Sequence, residues 1–260
     1  MLSFFDFPSK IDTMNTLSRK QREIAERHAL LLDIGRRLID TEGYRTLSMD
    51  RIAEIAEYSK GTVYQHFSCK EEVLIQLCNH NSIGLKAFFE RAKSWDGSSR
   101  EKMLAIFVAH ELWAALNPTC FEHTQTLCGG GTKEKVSAES LKTHNRLEFE
   151  IVGLIGSIVE EAVKNKELPA DSTLTVPELV FSLWSICFGS LQLRSLNLPL
   201  KEMGVNNPKD ATLLAIDAML DGIGWQPLSG KHDYTLVKSK INKTLFAEEN
   251  KQLRQQHKQT

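Results

Sequence analysis

Residues 47–70 read LSMDRIAEIAEYSKGTVYQHFSCK, and the reading of the whole chain turns on them. The pattern predicts two short helices joined by a tight turn, then the start of a third. Ser48 stands where a cap belongs, ahead of a helix with Ile52, Ala53, Ile55 and Ala56 on its inner side. Glu57-Tyr58 breaks that pattern. Ser59 can cap a second helix, in which Val63 and Phe67, four apart, share one face. Lys60, Thr62, Tyr64, Gln65 and His66 are then left facing outward, and such side chains bond phosphates and base edges. Ser68, with Glu71 three residues on, has the form of a capping box for the next helix.

Around this stretch stand Glu42-Gly43-Tyr44, Leu47-Ser48-Met49, Ile52-Ala53, Ser59-Lys60-Gly61-Thr62-Val63-Tyr64, His66-Phe67 and Lys70-Glu71-Glu72. Together they resemble the DNA-binding signature of the TetR family of transcriptional repressors. The resemblance covers roughly the first third of the chain, and its density lifts it above a lone short motif. It implies an all-α protein, with an N-terminal helix-turn-helix DNA-binding domain and a C-terminal helical ligand-binding and dimerisation domain.

The resemblance also implies a DNA-binding set: Ser48, Ser59, Lys60, Gly61, Thr62, Tyr64, Gln65, His66 and Lys70. A recognition helix must enter a major groove about 12 Å wide, so small and polar residues belong at its leading end. Gly61 lets the backbone approach closely, and the helix N-terminus presents N–H groups to a phosphate. Thr62 and Gln65 suit base edges, Tyr64 and His66 suit phosphates, and Lys60 suits either. Lys70 would clamp the neighbouring backbone. Taken singly, Tyr64 also reads as half core and His66 as a turn cap. One departure stands out: the family usually has Gly and a small apolar residue where this chain has Glu57-Tyr58. If that turn needs φ > 0, a non-glycine residue is strained there.

The net charge of −1 gives no bulk attraction to nucleic acid, so affinity must come from where a few cations sit. Charged (25%) and hydrophobic (42%) fractions are those of an ordinary globular protein. Five cysteines, Cys69, Cys78, Cys120, Cys128 and Cys187, read as reduced cytosolic thiols, placing the protein in the cytoplasm. The sequence reading finds no apolar run of membrane-spanning length and no signal peptide in LSFFDF, so no membrane partner is expected. No Gly-rich phosphate loop, nucleophile elbow or catalytic dyad is present, which argues against an enzyme, and no cofactor is expected.

Taken in order, residues 1–21 read as an arm holding Phe4, Phe5 and Phe7, with Met14 an alternative start. Residues 1–13 are then dispensable, or their aromatics dock on the body. Residues 22–93 form the DNA-binding domain, with the helix-turn-helix at about 48–67. It opens on a helix over 22–41 with the stripe Ile24, His28, Leu31, Leu32, Gly35, Leu38 and Ile39, stopped by Gly43. Arg19, Lys20 and Arg22 are solvated charge or phosphate contacts. A helix over 69–93 follows, then the boundary turn Trp95-Asp96-Gly97-Ser98-Ser99.

Residues 94–228 form the second domain. Helices are expected over 100–116, 119–127, 132–165, 176–195 and 208–222, with Gly129-Gly130-Gly131 as a breaker. The stretch LVFSLWSICFGSLQLRSL is apolar nearly all round, so burial on most sides is expected. The resemblance implies that this helix and the next pair with their copies in a homodimer. Phe107, His110, Glu111, Trp113, Phe121, Phe149, Phe181, Trp184 and Phe188 are lining residues for a pocket, or plain core. Cys120, His123 and Cys128 form a weak metal or redox candidate whose spacing matches no metal motif. Residues 229–260 read as a polar tail that docks as an extra helix or stays loose.

The function expected is a homodimeric repressor that binds a palindromic operator in double-stranded DNA and is released by an unknown small hydrophobic or aromatic effector. The alternatives are a DNA-binding protein acting through protein partners or chromosome organisation, and a metal- or redox-sensing repressor.

Overall fold

The computed structural model describes residues 18–129, 131–196 and 198–259. Residues 1–17 of the expected arm, with Phe4, Phe5, Phe7 and Met14, lie outside them, while its last residues, 19–21, belong to the first helix instead. The described elements are helices joined by turns, with no strand among them. They divide into two compact units, residues 18–78 with 125–141, and residues 79–124 with 142–259. The division falls inside a helix, at Cys78/Asn79, and not at the Trp95–Ser99 turn.

The first unit opens on α1 (Arg19–Glu42), where Ser18 and Gln21 make a capping box. It buries Leu31, Ile34, Gly35, Leu38 and Ile39. Ile24, expected in that stripe, is exposed, because the helix extends past the core at its start. Gly43 ends α1 at φ 85°, and its N–H reaches the carbonyl of Ile39. Then come α2 (Met49–Ala56), α3 (Lys60–Tyr64) and α4 (Lys70–Lys93), which belongs to this unit as far as Cys78. Ile52, Val63, Phe67, Val73 and Leu74 close over Leu31 and Leu38. Ile55, expected on the inner side of α2, is exposed.

Residues 125–141 complete this unit. The expected helix over 132–165 instead starts with a 3-10 turn at Thr132–Lys135 and resumes as α7 (Ala138–Lys164). The cause is local: Ser137 Oγ accepts the N–H of Ser140 at 3.2 Å, which sets the helix start at Ala138. The Glu72 carboxylate accepts the N–H of Ser137 at 2.9 Å and the hydroxyls of Ser137 and Ser140. Ser68 does not cap α4, which begins one residue later than a Ser68 cap requires. Its hydroxyl lies 3.9 Å from Cys69 Sγ instead.

The second unit contains α5 (Ser99–Leu116), the start of α6 (Pro118–Cys128), most of α7, α8 (Val176–Ser195), α9 (Pro208–Gly222), α10 (Tyr234–Thr244) and α11 (Ala247–Gln259). α5 starts on a Ser98–Glu101 capping box and is buried along most of its length. Its first turn carries Arg100, only 1% exposed, which donates to Asp221 Oδ1 at 2.5 Å and to the carbonyl of Trp225 at 2.7 Å. The Arg100 guanidinium also lies over the Tyr234 ring at 4.9 Å. A buried arginine is tolerated only when its charge is paired, as both terminal nitrogens of Arg100 are.

The stretch after residue 228 is no loose tail. α10 packs on α5, burying Tyr234, Val237 and Ile241, and Phe246 is fully buried. Arg91 lies against the stacked rings of Phe88 and Phe246, at 5.1 and 4.5 Å from their centroids, and reaches Glu249 at 2.5 Å.

α8 departs from expectation. Only Leu179, Val180 and Leu183 are buried, while Phe181, Trp184 and Leu193 face outward. At 20 residues and a mean hydropathy of 1.3 it is long and apolar enough to cross a membrane, contrary to the expectation of no such run. It nevertheless packs against α9, and its Arg194 pairs with Glu111 of α5 at 2.8 Å.

Candidate nucleic-acid interface

The helix-turn-helix is built by two caps and a left-handed turn. Ser48 Oγ accepts the N–H of Arg51 at 3.3 Å and starts α2. Glu57 then turns the chain at φ 56°, ψ 34°, the left-handed conformation usually left to glycine. Ser59 Oγ accepts the N–H of Thr62 at 3.1 Å and starts α3, with the Thr62 hydroxyl 2.9 Å away. α3 spans five residues, so its dipole is slight, and Phe67 lies past its end in the following turn. Val63 and Phe67 are both buried all the same, and they seat α3 on the core.

The residues expected to touch DNA fall into two groups. Ser59, Lys60, Gly61, Tyr64 and Gln65 are exposed on the outer side of α3, with Thr62 half-buried among them. Tyr64 is 52% exposed, so its ring is not core. A Cβ on Gly61 would meet only Ser59 Oγ at 3.8 Å, so no neighbour within the chain demands a glycine there. Ser48, His66 and Lys70 are half-buried. His66 packs against His28, ring centroids 5.5 Å apart, and Phe67. Burial, with His28 and Arg27 nearby, holds its imidazole below its ordinary value, so at neutral pH it is an uncharged partner. Lys70 Nζ lies over the Tyr44 ring at 4.7 Å.

Two contributors escape sequence reasoning. Asp50 on α2 accepts from Lys60 Nζ at 2.6 Å, and this bond raises the pKa of Lys60. Ten residues separate them, and no helical spacing rule joins positions on different helices. Arg27 of α1 lies 5.2 Å over the ring of Tyr58, beside the left-handed turn. The chemical capacity of this surface is clear: hydroxyls, an amide, a phenol and an ammonium on one protruding helix, with no acidic residue within α3 itself.

Residues 31–77 match the family model described as "Bacterial regulatory proteins, tetR family". These residues hold the two caps and the left-handed turn described above, and over them the chain is similar to that family. Solved structures of proteins described as TetR-family regulators share the fold. A TetR-family regulatory protein from Rhodococcus RHA1 superposes with TM-score 0.59 at 15% identity, covering 76% of this chain and 97% of that one. The TetR-family transcriptional regulator PfmR from Thermus thermophilus gives 0.56 at 21% identity, covering 74% and 97%. The SmeT–triclosan complex gives 0.56 at 14%, covering 78% and 94%. No curated protein matches the sequence.

In the second unit a cavity of about 130 Å³ opens between α4, α5, α7, α8 and α9. Phe107, His110 and Trp184 are on its wall, joined by Phe89, Met103, Ile106, Ile151 and Leu183. Six expected lining residues lie elsewhere. Glu111 is buried in its pair with Arg194, and the Trp113 ring fills the space at Gly84 against Phe88. Phe121 packs on Phe188, while Phe149 and Phe181 point outward at 77% and 65% exposure. Apolar periodicity identifies a face, but not whether it meets a cavity, a core or solvent. Cys120, His123 and Cys128 are not gathered: His123 is buried, Cys128 is exposed, and no three His, Cys, Asp or Glu among the described residues are placed to hold a metal.

Proposed function

We propose that this TetR-family regulator is a homodimeric, cytoplasmic repressor that binds a palindromic operator through α3 and is released by a small hydrophobic effector. The observation that carries the reading is α3 itself: anchored by Val63 and Phe67, it turns Lys60, Gly61, Tyr64 and Gln65 to solvent. The DNA contacts assigned to Ser59, Lys60, Thr62, Tyr64 and Gln65 follow from that exposure. His66 and Lys70 act at its edge, and Ser48 through its cap on α2.

The dimer is supported by α8 and α9, which pack together yet expose Phe181, Trp184, Leu193 and Leu214. Exposed large apolar side chains on two neighbouring helices support an interaction surface. Two copies bring two α3 helices to two half-sites. The effector is supported by the apolar cavity, and by the similarity of the fold to a protein solved with triclosan. Release requires the effector to bind the DNA-free conformation more tightly than the DNA-bound one.

Selection of bound sequences from a random duplex pool tests the proposal. An inverted repeat with half-sites about one helical turn or more apart is the expected product. Enrichment of a single, non-repeated site, or of none, contradicts it.

A further inference from the structure

The unit 2 cavity is specific about chemistry as well as size. At about 130 Å³ it is close to the roughly 150 Å³ engineered apolar cavity that binds benzene. Met103, Ile106, Phe107, Ile151 and Leu183 make most of its wall apolar. Into this wall the His110 ring is set. His110 Nδ1 is buried and has no hydrogen-bond partner among the described residues. Burial holds that imidazole below its ordinary value, so it is neutral, with one N–H to donate and one bare nitrogen to accept.

The other polar groups on the wall have different states. Burial pushes the Cys187 thiol up to about 12, which keeps it protonated and unreactive. Glu148 accepts from the Ser82 hydroxyl at 3.0 Å. Among the described residues no Lys or Arg lines the cavity, and Arg194 near His110 is already paired with Glu111. An anionic ligand would therefore lose its hydration without meeting a counter-charge, and would face Glu148. A ring with no polar group would fit but leave His110 unsatisfied.

We propose that the cavity takes a neutral, single-ring aromatic ligand bearing one hydroxyl, with that hydroxyl hydrogen-bonded to the His110 ring. This deepens, and rests on, the reading of unit 2 as an effector domain. The hydroxyl can donate to the bare nitrogen or accept the ring N–H, so either tautomer of His110 serves.

Calorimetric titration of the full-length protein with phenol, toluene and benzoate tests this. Phenol is expected to bind once per chain and about fivefold or more tighter than toluene, which is what one net hydrogen bond is worth. Benzoate is expected not to bind. In His110→Leu, phenol and toluene should bind equally. Equal affinities in the unaltered protein, preferential binding of benzoate, or a phenol preference that survives His110→Leu would each overturn the proposal. If His110→Leu fails to fold, the three ligands on the unaltered protein still decide. The same preparation is tested on its selected operator: a protein that binds DNA but not phenol overturns the ligand assignment alone. One that binds phenol and no DNA overturns the regulator reading instead.

Discussion

Glu57 sits at φ 56°, ψ 34°, a conformation that costs a residue with a Cβ about 1–2 kcal/mol. Its side chain is exposed, and glycine would adopt the same turn without that cost. Glu57→Gly is expected to stabilise the protein by about 1 kcal/mol, the gain being trimmed by glycine's larger unfolded-state entropy. Denaturant melts check this, and an unchanged or lowered midpoint would show the turn unstrained. The strain was legible from sequence, because Glu57-Tyr58 occupies a place where glycine is usual. Histidine protonation was not legible, since it depends on what packs around each ring. His66 and His110 both have pKa values held below 6.5 by burial. Each binds a proton more readily unfolded than folded, so the stability they contribute is complete above about pH 6.5 and lost as pH falls below it. Melts at pH 7.5 and pH 5.5 should show a lower midpoint at pH 5.5, before carboxylates titrate; equal midpoints would contradict the burial of these rings.

Between elements, close fit and buried charge carry the stability. A Cβ on Gly84 of α4 would lie 2.1 Å from the Trp113 ring of α5, and an indole packed against Phe88 cannot swing clear cheaply. Gly84→Ala should therefore destabilise by about 2 kcal/mol, despite alanine's better helix propensity. A melt showing Gly84→Ala as stable as the parent would mean the two helices are not in such contact. Arg100 joins α5 to Asp221 of α9 and lies over Tyr234 of α10. Removing it strands the carboxylates of Asp217 and Asp221, so Arg100→Met is expected to cost about 3 kcal/mol in a urea melt. A loss under 1 kcal/mol would show that the network contributes little. Helix starts were largely readable where a cap precedes an amphipathic run, as at Ser48, Ser59 and Ser98. The start of α7 was missed because Ser137 defines it together with Glu72, 65 residues away in sequence. The tail was left open between docking as a helix and staying loose because Tyr234, Val237, Ile241 and Phe246 are too widely spread among polar residues to advertise a core, until α5 supplies the other half.

For the whole molecule, the decisive pattern is that its most apolar helix, α8, leaves Phe181 and Trp184 outside while Leu214 of α9 is 68% exposed. The homodimer proposed above covers them. The double variant Phe181→Glu, Leu214→Glu should sediment as a monomer and lose its operator, since one half-site alone holds weakly. A dimer that persists in this variant would locate the interface elsewhere. With a net charge of −1, nothing about the whole chain draws it to DNA, so the affinity proposed for it must rest on single residues of α3. Tyr64 is the one aromatic side chain of α3 and is half exposed to solvent. The measurement that bears most directly on the account is therefore the affinity of Tyr64→Ala for the selected operator at matched salt, with its melting midpoint taken alongside. A loss of about tenfold or more at an unchanged midpoint is expected. Unchanged affinity in a folded variant would contradict it.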